Sequence, residues 1–283
     1  MNISPFLALA CPLDGARLQR KGSAWCCAAG HSFDIAAQGY IHLLPVQKKR
    51  SRDPGDSKEM VAARRRFLNA GHYQPIAAAA SRATLTGLPP ETRMSVLDAG
   101  SGEGYYMRQL AAAASAEGKP LAMLGLDISK WAVLAAAKQD QRPNWVVGSN
   151  ANLPVLPGTL DRVLCMFGFP VYSEFARVLK AGGELLQVDT GPNHLRELRE
   201  IIYPSLKPER SADAPPPDGF TQLASETLSY PLHLGDAEQI ADLLAMTPHL
   251  YRASAEGRAR AAALTALSLT VEVRLSRFGR NAS

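Results

Sequence analysis

From about residue 76 onward, apolar runs of four to seven residues alternate with longer stretches in which apolar positions recur every third or fourth residue. The short runs predict strands at 95–98, 121–127, 145–148, 162–167, 184–189 and 268–275. The periodic stretches predict helices at 76–86, 104–116, 130–139, 173–180 and 236–246. Strands that alternate with helices in this way build an α/β fold with a doubly wound, mostly parallel sheet, because each parallel crossover needs a helix to return the chain. Upstream, Met60, Ala63, Phe67 and Ala70 share one helical face. That pattern predicts a helix starting near Asp56 and Glu59, which have capping-box spacing, and stopping at Gly71. Arg65 and Arg66 project from its other side.

The first 46 residues follow neither period. Their turn signals, Asp14-Gly15 and Lys21-Gly22, predict small hairpins, and so few large apolar side chains need a staple such as a metal. The chain therefore divides into a hairpin module (1–46), a basic linker with helices (47–85, broken at Pro54-Gly55) and an α/β domain (86–283). A connecting loop is expected at 204–219 around Pro215, Pro216 and Pro217, and the last five residues are expected to fray.

With 46% hydrophobic and 20% charged residues, the 283-residue chain has the balance of a soluble globular protein. No apolar run approaches the ~20 residues of a membrane span. The opening residues lack the basic start and cleavage pattern of a signal peptide. Four cysteines are too few for a disulfide scaffold, so reduced thiols and a cytoplasmic location are expected. Charge is placed unevenly: residues 1–86 hold 12 Lys/Arg against 5 Asp/Glu, and the rest hold 19 against 21. A basic first third points to an anionic partner, most simply nucleic acid; the alternative is a solvated basic face.

The strongest motif is VLDAGSGEGYY, residues 96–106. A strand ends in Asp98, and Gly100, Gly102 and Gly104 follow before a helix, so the backbone can approach a ligand closely. Asp127 ends the next strand, where a carboxylate can accept both ribose hydroxyl hydrogens. After the third strand, Asn150 and Ala151 offer a polar side chain and a backbone amide to an adenine. This set resembles the S-adenosylmethionine fold of class I methyltransferases, with its Rossmann-like, mostly parallel seven-stranded sheet. The Leu179–Gly183 turn fits that fold too. The alternatives are a fold for NAD or a tight turn with no ligand.

A second cluster is Cys11, Asp14, Cys27 and His31. Its spacing resembles a zinc ribbon with one thiolate replaced by a carboxylate, which zinc also accepts. The alternative is a degenerate site that folds without metal. Cys26 would point elsewhere on a strand, and Cys165 reads as an inert core residue.

The run from His31 to Pro75, followed by LDAGSGEGYY, closely resembles the RlmA family. Those are bacterial 23S ribosomal RNA guanine-N1 methyltransferases with an N-terminal zinc-binding domain. The resemblance implies S-adenosylmethionine and Zn2+ as cofactors, 23S rRNA as partner, and a homodimer whose basic faces form an RNA cleft. It places cofactor contacts on Tyr73, Gly102, Glu103 and His194. The family's zinc ligands are three Cys and one His, so Asp14 stands where the second cysteine would be. Lys48, Lys49, Arg50, Arg52, Arg64, Arg65 and Arg66 are candidate phosphate contacts, and Phe167, Phe169 and Tyr172 candidate platforms for a splayed base. Asp189 and His194 are placed to face the cleft, though no general base is singled out. Two rivals remain: a small-molecule methyltransferase, against which the basic first third argues, and a non-catalytic RNA-binding protein, against which Asp98, the glycines and Asp127 argue.

Overall fold

The computed structural model describes residues 3–45, 51, 53–87, 92–206 and 215–281. The chain opens with β1 (Ile3–Pro5), forms a small antiparallel sheet of β2 (Gln19–Lys21), β3 (Ala24–Cys26) and β4 (Ser32–Asp34), and leaves it through β5 (Tyr40–His42). Two helices follow, α1 (Lys58–Asn69) and α2 (Gln74–Leu85). Ser57 caps α1 rather than Asp56: its Oγ accepts from the Met60 N–H and donates to Glu59. The buried face of α1 is Val61, Ala63, Phe67 and Leu68; Met60 is only half-buried and Ala70 is exposed.

The α/β part then runs β6 (Met94–Ala99), α3 (Tyr105–Ala116), β7 (Leu121–Asp127), α4 (Lys130–Gln139), β8 (Asn144–Val147), β9 (Leu160–Met166) and α5 (Tyr172–Val178). It continues with β10 (Leu179–Thr190), α6 (Arg196–Ile202), β11 (Phe220–Leu234), α7 (Ala237–Met246), α8 (His249–Arg252), α9 (Ala255–Ala262) and β12 (Leu267–Arg280). The strands lie in the order β11-β12-β10-β9-β6-β7-β8-β5, with β12 antiparallel to both its neighbours. β6 and β7 are buried on both faces, as near-continuous apolar strands must be in a parallel sheet covered by helices.

Six of these strands, β6 to β10 and β12, match the strands predicted from the sequence, and β11 brings the sheet to the expected seven; the N-terminal segment supplies two more. β1 pairs with Leu121–Met123 of β7 while β8 pairs with Leu124–Asp127, so the two share one edge. β5 extends the sheet beyond β8. Side-chain and backbone bonds reinforce the join: Asn144 Nδ2 donates to the Phe6 carbonyl at 2.6 Å and Ala10 N–H to that of Pro154 at 2.9 Å. The hairpin module is thus stitched into the large sheet at both its ends.

Three expectations change. β11 has no counterpart in the predicted strands: it is a 15-residue edge strand, mostly exposed, with Pro231 inside it, which an edge tolerates. The Leu179–Gly183 turn lies within β10 as a bulge, with Gly182 at φ +72° and the register shifting between Leu179 and Glu184. The tail does not fray through Arg280, because Gly279 pairs with Glu184 and Arg280 with Phe220. Residues 207–214 of the expected loop and 282–283 of the tail lie outside the described residues. Among the described residues no helix is long and apolar enough to cross a membrane.

Candidate functional site

The parallel strands deliver their carboxyl ends to one rim. There the chain leaves β6 through Gly100 (φ +104°), Gly102 (φ +54°) and Gly104 (φ +83°), and the amides of Gly100 and Ser101 both donate to the Leu126 carbonyl. A Cβ on Gly104 would fall 2.6 Å from the Trp145 ring, so Gly104 admits no side chain. Asp98 is fully buried, and neither carboxylate oxygen has a partner among the described residues. Burial, and then the neighbouring charge of Asp127, raises it to about 7. Asp127 is held by the Gly102 N–H (2.9 Å) and the Ser129 N–H (2.8 Å), one on each oxygen, which leaves a lone pair on each. Asn150 donates to the Ala99 and Phe169 carbonyls, and its buried Oδ1 has no donor among the described residues. The Ala151 amide donates to Ser149 Oγ, a local bond the sequence did not reveal.

Buried acceptors left without donors are costly unless a ligand completes them. This rim offers the donorless carboxylate of Asp98, the spare lone pairs of Asp127 and the Asn150 amide oxygen, beside a glycine-rich loop. An ammonium, a pair of ribose hydroxyls and an exocyclic amine would complete them, which is the donor set of S-adenosylmethionine.

Tyr73 and His194, 121 positions apart, meet behind the rim with Tyr73 Oη and His194 Nε2 at 3.3 Å. His194 Nδ1 accepts from the Glu272 N–H, so the network assigns the proton to Nε2, which donates to Tyr73. Burial lowers His194 to about 4 and keeps it neutral. Phe167 packs on both rings, at 6.2 and 6.3 Å between centroids. Phe167 (φ +55°) and Leu195 (φ +52°) are the two non-glycine left-handed residues among those described, and both adjoin this cluster. Glu103 departs from expectation. Its buried carboxylate pairs with Arg108 at 3.0 Å and accepts from Gln139 at 2.6 Å, which leaves only its backbone to the loop.

The candidate RNA contacts also separate. Phe169 is 87% exposed, whereas Phe167 belongs to the inner cluster and Tyr172 donates to Gln187 and packs on Phe220. Arg66 is bound to Asp242 through two N–H groups. Arg64 turns inward: it pairs with Asp56, donates to the Met246 carbonyl at 3.0 Å, and passes 3.8 Å from the place a Gly102 Cβ would occupy. Neither arginine is the free phosphate contact its sequence position suggested. Arg65 is exposed and has no ion pair among the described residues; Lys48, Lys49, Arg50 and Arg52 lie outside them. Asp189, at the end of β10, accepts from Gln187 at 2.6 Å and is raised by burial.

In the N-terminal module the four sequence candidates converge. The donor atoms of Cys11, Asp14, Cys27 and His31 all lie within 4.8 Å of one another. His31 Nδ1 is 3.4 Å from Cys11 Sγ, 3.3 Å from Cys27 Sγ and 3.0 Å from Asp14 Oδ2. A tetrahedron with zinc–ligand bonds of about 2.0–2.3 Å has edges of roughly 3.3–3.8 Å, so the knot is near the right size. Hydrogen bonds, first from the Ala16 N–H, lower Asp14 to about 2 and keep it anionic. Cys26 faces Ser32 instead, as its strand position requires, and Cys165 is buried.

Residues 9–52 match the zinc-ribbon family described as "RlmA, N-terminal", and residues 96–183 match a methyltransferase domain. A protein of Micromonospora griseorubida, named as a candidate 23S rRNA (guanine-N1)-methyltransferase, is 35% identical over 95% of this chain and 96% of its own. The 23S rRNA (guanine(748)-N1)-methyltransferase of Streptomyces fradiae is 33% identical over 89% of each chain. The crystal structure of the YcgJ protein of Bacillus subtilis has 20% identity and a TM-score of 0.44 over 73% of this chain and 98% of that one.

Proposed function

Because the chain belongs to the family of 23S rRNA (guanine-N1)-methyltransferases with an RlmA-type zinc ribbon, we propose that it transfers a methyl group from S-adenosylmethionine to N1 of a guanine in a 23S rRNA hairpin. The observation that carries this reading is the joining of two sites in one body: the strands that flank the Cys11–Asp14–Cys27–His31 knot are strands of the sheet that holds Asp98 and Asp127.

The bound sulfonium supplies the electrophilic methyl, and the protein's part is orientation and exclusion of water. Asp127 accepts the ribose hydroxyls, Asn150 Oδ1 the adenine amine, and Asp98 the ammonium of the amino-acid tail. Gly100, Gly102 and Gly104 would let the backbone close on the ligand, and Tyr73 and His194 would line its pocket. Phe169 offers an exposed face on which an extruded base can stack. The N1 proton must leave as the new bond forms, and Asp189, raised by burial at the sheet's carboxyl rim, is the carboxylate nearest that role. Cys11, Asp14, Cys27 and His31 hold a zinc ion that fixes the hairpin module, and Arg65 with the basic linker binds rRNA phosphates. A homodimer would place two such basic faces on one RNA.

Labelled methyl transfer into 23S rRNA from cells lacking this protein, with modified nucleosides identified by mass, tests the reading. One N1-methylguanosine is expected. No incorporation by a protein that binds the cofactor would overturn the substrate assignment.

A further inference from the structure

We propose that Arg64 is a binding residue for the carboxylate of the cofactor's methionyl tail. The inference rests on the cofactor reading above and goes beyond it, since the sequence placed Arg64 among the phosphate contacts.

A zwitterionic amino-acid tail needs donors for its carboxylate as well as an acid for its ammonium. The rim is rich in acids: Asp127 takes the Gly102 amide, Asp98 lies at the end of β6 next to it, and Asp56 lies close enough to act on Asp127. Two arginines stand beside the loop. Arg108 is spent on Glu103, with bonds to both carboxylate oxygens and to the backbone carbonyl. Arg64 lies 3.8 Å from the missing Cβ of Gly102, and two of its five N–H groups are taken, by Asp56 and the Met246 carbonyl. The remaining donors of a guanidinium form the planar fork that suits a carboxylate.

Its aim is fixed from three sides. α1 carries the side chain, the end of α7 supplies the Met246 carbonyl, and the linker supplies Asp56. That linker is itself pinned beside the ribose acid. The Asp56 carbonyl accepts from Ser129 Oγ at 2.7 Å, and a Cβ on Gly55 would lie 2.9 Å from both Ile128 and Ser129. Ser129 also donates its amide to Asp127, so one short segment ties Arg64's counter-ion to the ribose site. An arginine held only to brace α1 would need no such approach to the glycine loop.

The test is calorimetric binding without RNA. S-adenosylmethionine and its decarboxylated form, which lacks only the carboxylate, are titrated into the wild type, Arg64→Met and Arg64→Lys. The wild type should prefer the intact cofactor by about 10–100-fold, the range for hydrogen bonds to a charged group. Arg64→Met should erase that preference while binding the decarboxylated form as the wild type does, and Arg64→Lys should keep part of it. Equal weakening of both ligands would make Arg64 a brace, and unchanged preference would remove it from the site; either overturns the proposal. Because no RNA is present, failure here leaves the rRNA assignment standing, and failure of methyl transfer leaves this one standing.

Discussion

The two sites built around aspartates differ in what those aspartates touch. At the sheet's rim neither Asp98, which is buried, nor Asn150 Oδ1 has a donor among the described residues. In the N-terminal knot Asp14 is surrounded by donors: the Ala16 N–H, the Cys27 thiol and the His31 ring. Acceptors left open describe a ligand larger than a single ion, spread along a rim. Four donor atoms that contact one another describe a point, the place of one ion. On the function proposed above, the rim would hold the cofactor and the knot would fix the module that meets the RNA.

The largest expected effect comes from breaking the knot alone. Cys27→Ser should lose stoichiometric zinc, measured by elemental analysis, and lower the thermal midpoint by about 2–4 °C for each kcal/mol lost. Affinity for S-adenosylmethionine should stay within about twofold, since Cys27 touches none of the rim residues.

The reverse cut is Asp127→Ala. Loss of charge-assisted bonds should weaken cofactor binding by ~1.5–3 kcal/mol, or roughly 10–100-fold by calorimetry, with zinc content unchanged. Undiminished affinity would remove Asp127 from the ribose site.

Protonation sharpens the contrast further. Asp98 sits at about 7 in the fold, raised from its ordinary 3.8, so the folded chain binds its proton more tightly than the unfolded chain does. Its contribution to stability is complete below about pH 4 and is lost as pH rises towards 7. A cationic ligand that needs the carboxylate should therefore bind more tightly as pH rises towards 7, by up to about tenfold per unit. Below pH 7 it should release a proton on binding. Asp98→Asn should flatten both the pH dependence and the proton release. The smallest effect is expected at Arg65→Glu: a few-fold weaker rRNA binding with a shallower salt dependence, and cofactor affinity untouched.

Much of this was legible in the sequence because it depends on local chemistry. Strand ends at Asp98 and Asp127, the three rim glycines and the knot's spacing follow from runs of a few residues. What escaped was set by partners far along the chain. Arg66 finds Asp242 and Arg64 finds Met246, pairings about 180 positions long that engage both cations and turn Arg64 inward. Glu103 reads as a loop acid until Arg108 and Gln139 claim it. β1 and β5, three residues each, are too short to show a period, and only the exposed edge of the sheet gives them a place. β11 hid because an edge strand with Pro231 carries little apolar signal.

The most direct test of the division between rim and knot is labelled-methyl transfer into 23S rRNA by the Cys27→Ser protein at saturating S-adenosylmethionine. Transfer should fall by about tenfold or more, the loss expected from one disordered RNA-contacting module, while the cofactor still binds. Transfer at the wild-type rate from a zinc-free protein would contradict the account, because the knot would then have no part in choosing the RNA.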